Sequence, residues 1–285
     1  MAQPLYNSNF TVDMQKVKPK KALGQHFLTD LSVADRIASS LDDYTHVPVL
    51  EVGPGMGVLT RPLINKGHDV KVAEIDTDSV AYLRNEFPEL AAADGIVEGD
   101  FLTLDLATVF PGAEKICVIG NYPYNISSQI FFHVLEYRDL VVCCSGMLQR
   151  EVAMRLAAAP GSRDRGILSV LLQAWYDVSY LFTVDEHVFH PAPKVKSGVI
   201  KMVRNDVTSL GCDERLFKSV VKAAFGQRRK TLRNAIKSIL PPGVTPAVLE
   251  QLNDEQGRPM MQLRPEQLSV ADFIALTNAV AQLRG

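Results

Sequence analysis

The 285-residue chain has no apolar run near the roughly 18 residues that a membrane span needs. Its first fifteen residues, MAQPLYNSNFTVDMQ, hold no apolar core of the kind found in secretory signals. No membrane association is expected, and a cytoplasmic location is. Cysteine is scarce: the four residues Cys117, Cys143, Cys144 and Cys212 show no CxxC spacing, so neither a disulfide framework nor a zinc site is expected. Three of them sit in strand-like apolar runs that suit a small buried side chain. Internal repeats, low-complexity tracts and long exposed heptads are missing too, and a monomer is expected. At 47% hydrophobic and 22% charged residues, the composition is that of an ordinary globular protein.

An excess of positive charge is also lacking, since the net charge is −2. Its distribution is uneven. Residues 14–29 hold four Lys, residues 187–205 four Lys or Arg, and residues 215–249 eight, with no acid in any of the three. Sixteen positive charges are thus set apart from a remainder at −18. Gathered on one face, they would make a nucleic-acid surface on an acidic body; each run alone reads equally as a solvated face.

Alternating strand and helix signals run from about residue 32 to 204, which predicts an α/β fold with a mainly parallel sheet. Strands are expected at 47–52, 70–75, 116–120, 140–144, 176–183 and 199–203, and helices at 32–41, 77–87, 127–137, 149–158 and 167–173. PGSRDRG at 160–166 has turn composition and reads as an exposed loop. From Cys212 onward the pattern is helical only. The expected division is an α/β domain over 1–207 and a helical domain over 208–285.

Leu50-Glu51-Val52-Gly53-Pro54-Gly55-Met56-Gly57 falls where a strand turns into a helix, the place where open α/β sheets bind ligands. A dinucleotide fingerprint would need glycine at Val58, and a phosphate-binding GK[ST] is missing. A GxGxG loop preceded by an acid suits S-adenosyl-L-methionine, which has no pyrophosphate to cradle. Gly53 and Gly55 let backbone approach the ligand. Glu74, ending the next strand, can accept both ribose hydroxyls; Asp76 reads as nearer solvent. Asp100, in a Gly-Asp-Phe turn, can accept from the cofactor's adenine amine.

Asn121-Tyr122-Pro123-Tyr124 follows a predicted buried strand. The Asn121 carboxamide oxygen and the Pro123 carbonyl can accept the two N–H groups of an adenine N6 amine while Tyr124 stacks on the base. Phe189 is a candidate second stacking face, or else a core phenylalanine. With the cofactor loop, these residues point to methyl transfer to a base nitrogen. Arg228, Arg229, Lys230 and Arg233, with Lys18, Lys20 and Lys21, are candidate phosphate contacts.

These motifs resemble, along nearly the whole chain, the ribosomal small-subunit (16S) rRNA adenine N6,N6-dimethyltransferase family. The resemblance rests on KKALGQHFL at 20–28, EVGPGMGVLT at 51–60, AEID at 73–76, GDF at 99–101, NYPYNIS at 121–127, MLQREVAMRL at 147–156, FHPAPKVKS at 189–197 and AFGQRRKTLRN at 224–234. It implies a class I methyltransferase (Rossmann-like) fold, a seven-stranded mainly parallel sheet with a small helical RNA-binding C-terminal domain. The implied cofactor is S-adenosyl-L-methionine, and the implied partners are 16S rRNA and the small (30S) ribosomal subunit or its precursor. Cofactor contacts fall on His26, Leu28, Gly53, Glu74, Asp100 and Asn121; no metal is implied. Two residues depart from the family's commoner ones. His26 stands where Asn is frequent and is expected to donate to the cofactor's methionine end. Tyr122 stands where Leu is frequent in RNA enzymes and Pro in DNA enzymes. Methylation of large-subunit rRNA or DNA, and a non-catalytic nucleic-acid clamp, are the competing readings.

Overall fold

The computed structural model describes residues 17–284; the reading of the first fifteen residues, and Lys16 of the first basic run, lie outside it. Two compact units are present, one of Met1–Ala153 with Ser179–Arg204, the other of Met154–Val178 with Asn205–Gly285. A single cut after residue 207 does not describe this division, because residues 154–178 group with the C-terminal unit.

The first unit is built on strands β1 (Phe27–Leu28), β2 (Val49–Val52), β3 (Val70–Glu74), β4 (Ile96–Glu98), β5 (Ile116–Asn121) and β6 (Val141–Gln149), followed by β7 (Tyr176–Val184), β8 (Phe189–His190) and β9 (Ser197–Arg204). Seven of them form one sheet in the order β4-β3-β2-β5-β6-β9-β7, and β1 pairs with β8 in a separate antiparallel ribbon. Strands β2 to β6 run parallel to their neighbours, and β9 is antiparallel to β6. Every residue of β2 is buried, as expected where helices cover both faces of a parallel sheet. β6 continues to Gln149, past the expected end at 144, because its second half pairs with β9 from Gly146↔Ile200 to Gln149↔Ser197.

Helices α1 (Leu31–Ala38), α2 (Thr60–Asn65), α3 (Thr77–Glu86), α4 (Pro88–Ala92), α5 (Leu106–Val109) and α6 (Ser127–Glu136) connect these strands. Each start has a local cause where a side chain caps it: Asp30 accepts from Ser32 and Val33 amides, and Asp76 from the Asp78 amide. One apolar core gathers Leu41, Val49, Leu63, Val72, Leu83, Cys117, Ile119 and Met147 among others. The strand order reverses between β2's two neighbours, β3 and β5, so a crevice opens at the carboxyl ends of these strands. Gly53, Glu74, Asp100 and Asn121 all lie at or just past those ends.

Helix α7 (Arg150–Leu156) leads into the second unit, which holds α8 (Ile167–Gln173), α9 (Glu214–Gly226), α10 (Leu232–Ala235) and α11 (Val270–Arg284). α9 buries Leu216, Phe217, Val220, Val221, Ala224 and Phe225, a one-sided apolar stripe. In the PGSRDRG stretch Pro160, Gly161, Arg163 and Asp164 are exposed as expected, but the second arginine is not. Arg165 is fully buried, donating to the Ala158 carbonyl at 2.6 Å and to Gln173 Oε1 at 2.5 Å. Burial brings its guanidinium pKa down to about 10. Turn composition reports backbone shape, and this arginine folds back to satisfy carbonyls at the end of its own loop.

Candidate active site

A cavity of about 240 Å³ lies at the strand ends. Among its lining residues are His26, Gly53, Gly55, Glu74, Asp100, Asn121, Pro123 and Tyr124, eight of the ten residues expected in the site. Leu28 and Phe189 are not among them. Both are buried and face each other across the β1–β8 ribbon, with Phe189 only 5% exposed in the main core. The structure thus places Phe189 as a core phenylalanine, while Leu28 lines a smaller adjoining cavity with Gly53 and Asn121.

The loop after β2 takes left-handed backbone at Gly53 (φ 65°) and Gly55 (φ 56°). A Cβ on Gly53 would meet nothing within 4 Å, so this stretch presents bare backbone to the cavity; one on Gly55 would lie 2.9 Å from the Phe27 ring. Glu74, 3% exposed, holds this loop with one carboxylate oxygen, accepting from the Gly55 amide at 3.0 Å, and the chain after β3 with the other, accepting from the Asp76 amide at 2.9 Å. Burial raises its pKa, and these backbone bonds oppose the rise. Glu51, buried below on β2, is pushed up to about 8 by desolvation; its one side-chain donor is Thr60 Oγ1 at 2.6 Å. Glu74's neighbouring charge adds to the rise.

Asp76 is not the solvent-facing acid that its position suggested. It is 2% exposed, whereas Ile75, next to it, is 49% exposed and lines the cavity. Asp76 accepts from Lys20 Nζ, from Gln25 Nε2 at 3.2 Å, from Ser79 Oγ at 3.0 Å and from the Asp78 amide at 3.2 Å. Burial alone would raise its pKa; the Lys20, Gln25 and Ser79 bonds outweigh it and hold the carboxyl below its ordinary value. Lys20, counted among the phosphate contacts, is therefore committed to Asp76 and Asp78. Asp100 accepts from the Leu102 amide at 2.9 Å through one oxygen, leaving the other as an acceptor.

On the opposite rim, Asn121 Nδ2 donates to the His26 carbonyl at 2.9 Å. Its Oδ1 remains an acceptor. The Pro123 carbonyl accepts from the Ile126 amide at 3.3 Å and keeps a second lone pair. Tyr124 is anchored by its hydroxyl to buried Ser197, and burial raises its pKa. The His26 ring stacks on it, centroids 5.6 Å apart at 29°. His26 Nδ1 lies 2.7 Å from the Pro191 carbonyl. A carbonyl only accepts, so Nδ1 donates in this bond.

Tyr122 also lines the cavity, but its side chain is turned into the core. Its side chain is 1% exposed, donates to the Ser145 carbonyl at 2.6 Å and packs edge-on against Phe131. The space it fills exists because Gly120 and Gly146 carry no Cβ; one on Gly146 would lie 2.7 Å from the Tyr122 ring. The departure at this position is accommodated by that space.

A family model described as ribosomal RNA adenine dimethylase matches residues 16–276. The chain belongs to this family. A relative from Porphyromonas gingivalis, ribosomal RNA small subunit methyltransferase A, is 61% identical over 269 residues, covering 94% of this chain and 100% of the relative. The protein of the same name from Bacteroides thetaiotaomicron is 58% identical over 269 residues, covering 94% and 96%. Among solved structures, a dimethyladenosine transferase from Plasmodium falciparum shares the fold with a TM-score of 0.70 at 23% identity, covering 91% of this chain and 98% of that one. The 23S rRNA methyltransferase ErmE gives a TM-score of 0.62 at 26% identity, covering 88% and 99%. Within this rRNA adenine dimethylase, sequence reasoning missed Gln25, Ile75 and Phe101 in the cavity wall and Ser197 behind Tyr124. Ile75, Phe101 and Ser197 sit inside the AEID, GDF and FHPAPKVKS motifs; Ser197 is 73 residues from Tyr124, and its motif does not name that partner.

Proposed function

We propose that the protein transfers methyl groups from S-adenosyl-L-methionine to N6 of two adjacent adenosines near the 3′ end of small-subunit (16S) rRNA. The product is N6,N6-dimethyladenosine, formed during biogenesis of the small ribosomal subunit. The observation that carries this reading is the acceptor pair Asn121 Oδ1 and Pro123 carbonyl beside the Tyr124 ring, in one cavity with the bare Gly53 backbone, Glu74 and Asp100.

The cavity's residues fit the donor in kind. Glu74 offers lone pairs to the ribose hydroxyls, Asp100 its second oxygen to the adenine amine, and exposed Ile75 with Phe101 apolar walls for the purine. The methionine end, with its ammonium and carboxylate, suits the His26 ring and the open backbone at Gly53. When bound, the cofactor supplies a methyl group already activated on a sulfonium.

The chain's task is then alignment. Adenine's N6 lone pair is delocalised into its ring, so the amine is a poor nucleophile. Two acceptors on its protons favour a pyramidal nitrogen, and stacking on Tyr124 fixes its direction; orientation and electrostatics supply the rate without a strong general base. After one transfer a single N6 proton remains, so one acceptor contact has to suffice for the second.

The target base has to be unstacked, which favours RNA loops and ends. The helical C-terminal unit, with Arg228, Arg229 and Lys230, is assigned to sequence-independent phosphate binding. Arg233 contributes less, because it pairs with Glu250 at 2.7 Å. The likeness to ErmE favours a second reading, methylation of large-subunit rRNA. The relatives at 58–61% identity, named for the small subunit, weigh against it.

The test is mass mapping of methylated nucleosides after incubation with labelled donor and under-methylated small subunits, large subunits or DNA. Dimethyladenosine in the small-subunit rRNA alone is expected; label confined to another substrate sinks the assignment. Asn121→Ala should lower transfer by more than about 100-fold with RNA affinity nearly intact. RNA binding without transfer by the unaltered protein would leave a nucleic-acid clamp.

A further inference from the structure

The segment Lys20–Phe27 lines the cavity from Ala22 to Phe27 and is tied to both the β3 and the β5 rims. At the β3 rim, Lys20 Nζ and Gln25 Nε2 both bond the buried Asp76 carboxylate, and Lys20 reaches Asp78 as well, at 2.8 Å. The Lys20 amide donates to Gln25 Oε1 at 2.7 Å, closing the turn between them. At the β5 rim, the His26 carbonyl receives Asn121 Nδ2, its Nδ1 bonds the Pro191 carbonyl, and its ring lies on Tyr124. Between the two ties Gly24 passes Asn125 so closely that a Cβ would lie 2.6 Å from Asn125 Oδ1. The Phe27 ring lies over Gly55.

We propose that Lys20 and Gln25 are positioning residues for methyl transfer: through Asp76 they hold this strap so that the His26 carbonyl sets which way the Asn121 carboxamide points. An asparagine amide has two nearly isosteric ends. Only a fixed acceptor on Nδ2 ensures that oxygen, not NH₂, meets the N6 protons, and no other side-chain bond in the described structure holds Asn121. Neither Lys20 nor Gln25 touches the reacting atoms. The strap also joins the donor rim to the acceptor rim, so the alignment of the base-gripping group depends on a carboxylate two residues beyond Glu74. This rests on the assignment of Asn121 as an N6 acceptor.

The experiment compares Lys20→Met, Lys20→Arg and Gln25→Met with the unaltered protein, on under-methylated small subunits with labelled donor. Thermal melting and the ¹⁵N signal of the Asn121 side-chain amide are followed in parallel. Lys20→Met leaves the buried Asp76 with Gln25, Ser79 and the Asp78 amide but without its cation, so a lower melting temperature is expected and turnover is compared where every variant is folded. Turnover at saturating donor should fall about 10- to 100-fold, the scale of a misplaced reacting group. The Asn121 amide signal should shift and exchange faster, and Lys20→Arg should restore most of both. Gln25→Met should act in the same direction. Unchanged turnover with Lys20→Met overturns the proposal. So does a loss confined to donor affinity, an unmoved Asn121 signal, or a decline that follows loss of folded protein and is not restored by arginine. Full transfer by Asn121→Ala would instead sink the site assignment itself, whatever Lys20→Met does.

Discussion

The two rims of the cavity are held by different means. At the tip of β3, Glu74 and Asp76 are almost fully buried, and much of their bonding is to backbone and hydroxyl groups within a few residues or in the adjacent glycine loop. At the tip of β5, Asn121 and Tyr124 depend on His26 and Ser197, which are 95 and 73 residues away in sequence. The donor rim is therefore charged and held largely by nearby groups, with Lys20 and Gln25 as its remote ties, and the acceptor rim is neutral and placed by remote contacts. A carboxylate can hold ribose and a loop at once because it has about four lone-pair sites. A carboxamide serves as acceptor only if something else consumes its NH₂.

The largest expected effect that separates the rims comes from Glu74→Ala. Losing charge-assisted bonds of roughly 1.5–3 kcal/mol should weaken donor affinity about 10- to 100-fold, and it also releases the Gly55 amide. Donor titration by calorimetry measures this, and unchanged affinity would remove Glu74 from the site. RNA affinity should stay put; a parallel loss would mean that the rims are not separable.

Next comes the charge crowding under the donor rim. Glu51 has a folded pKa of about 8 against an ordinary 4.5. The folded state thus keeps a proton that the unfolded state has released, and stability falls as pH rises from about 4.5 to 8, levelling off above. Glu51→Gln removes that slope. At about 1.4 kcal/mol per pH unit over that window it should be a few kcal/mol more stable than the parent at pH 8, with the gain vanishing near pH 4.5. Melting curves across this range decide it, and a parallel offset at every pH would show that Glu51 does not titrate as described.

The smallest effect is expected from Tyr124→Phe, which keeps the stacking ring and loses only the bond to Ser197. One neutral hydrogen bond of about 1 kcal/mol corresponds to roughly a fivefold loss. It should appear in turnover, leaving donor affinity untouched. If donor affinity falls as far as turnover, the two rims are coupled more tightly than the separate bonding suggests.

Most strands of the α/β unit were legible because their apolar runs and bounding turns are local properties; helix α8 falls at Ile167–Gln173 as its spacing predicts. Glycine spacing, Glu74, Asp100 and Asn121 were legible for the same reason, since each sits at a strand end. Phe189 takes the core reading, and Leu28 lines the adjoining cavity with Gly53 and Asn121, because motif membership does not say which face of a two-residue ribbon a side chain takes. Arg165 and Asp76 were misread as exposed because charge is a poor guide to burial when several hydrogen-bonding partners converge.

By itself, then, the sequence determined the family, the layer order of the α/β unit and the residue types around the crevice, because apolar periodicity, turn chemistry and motif spacing are written within a few residues of one another. Only the tertiary structure decided which nitrogen of His26 carries the proton, which end of the Asn121 amide is free, and that Tyr122 turns away into space left by Gly120 and Gly146. The first two outcomes are set by partners 165 and 95 residues away and the third by Gly146 together with the neighbouring Gly120, and no local pattern names the remote partners.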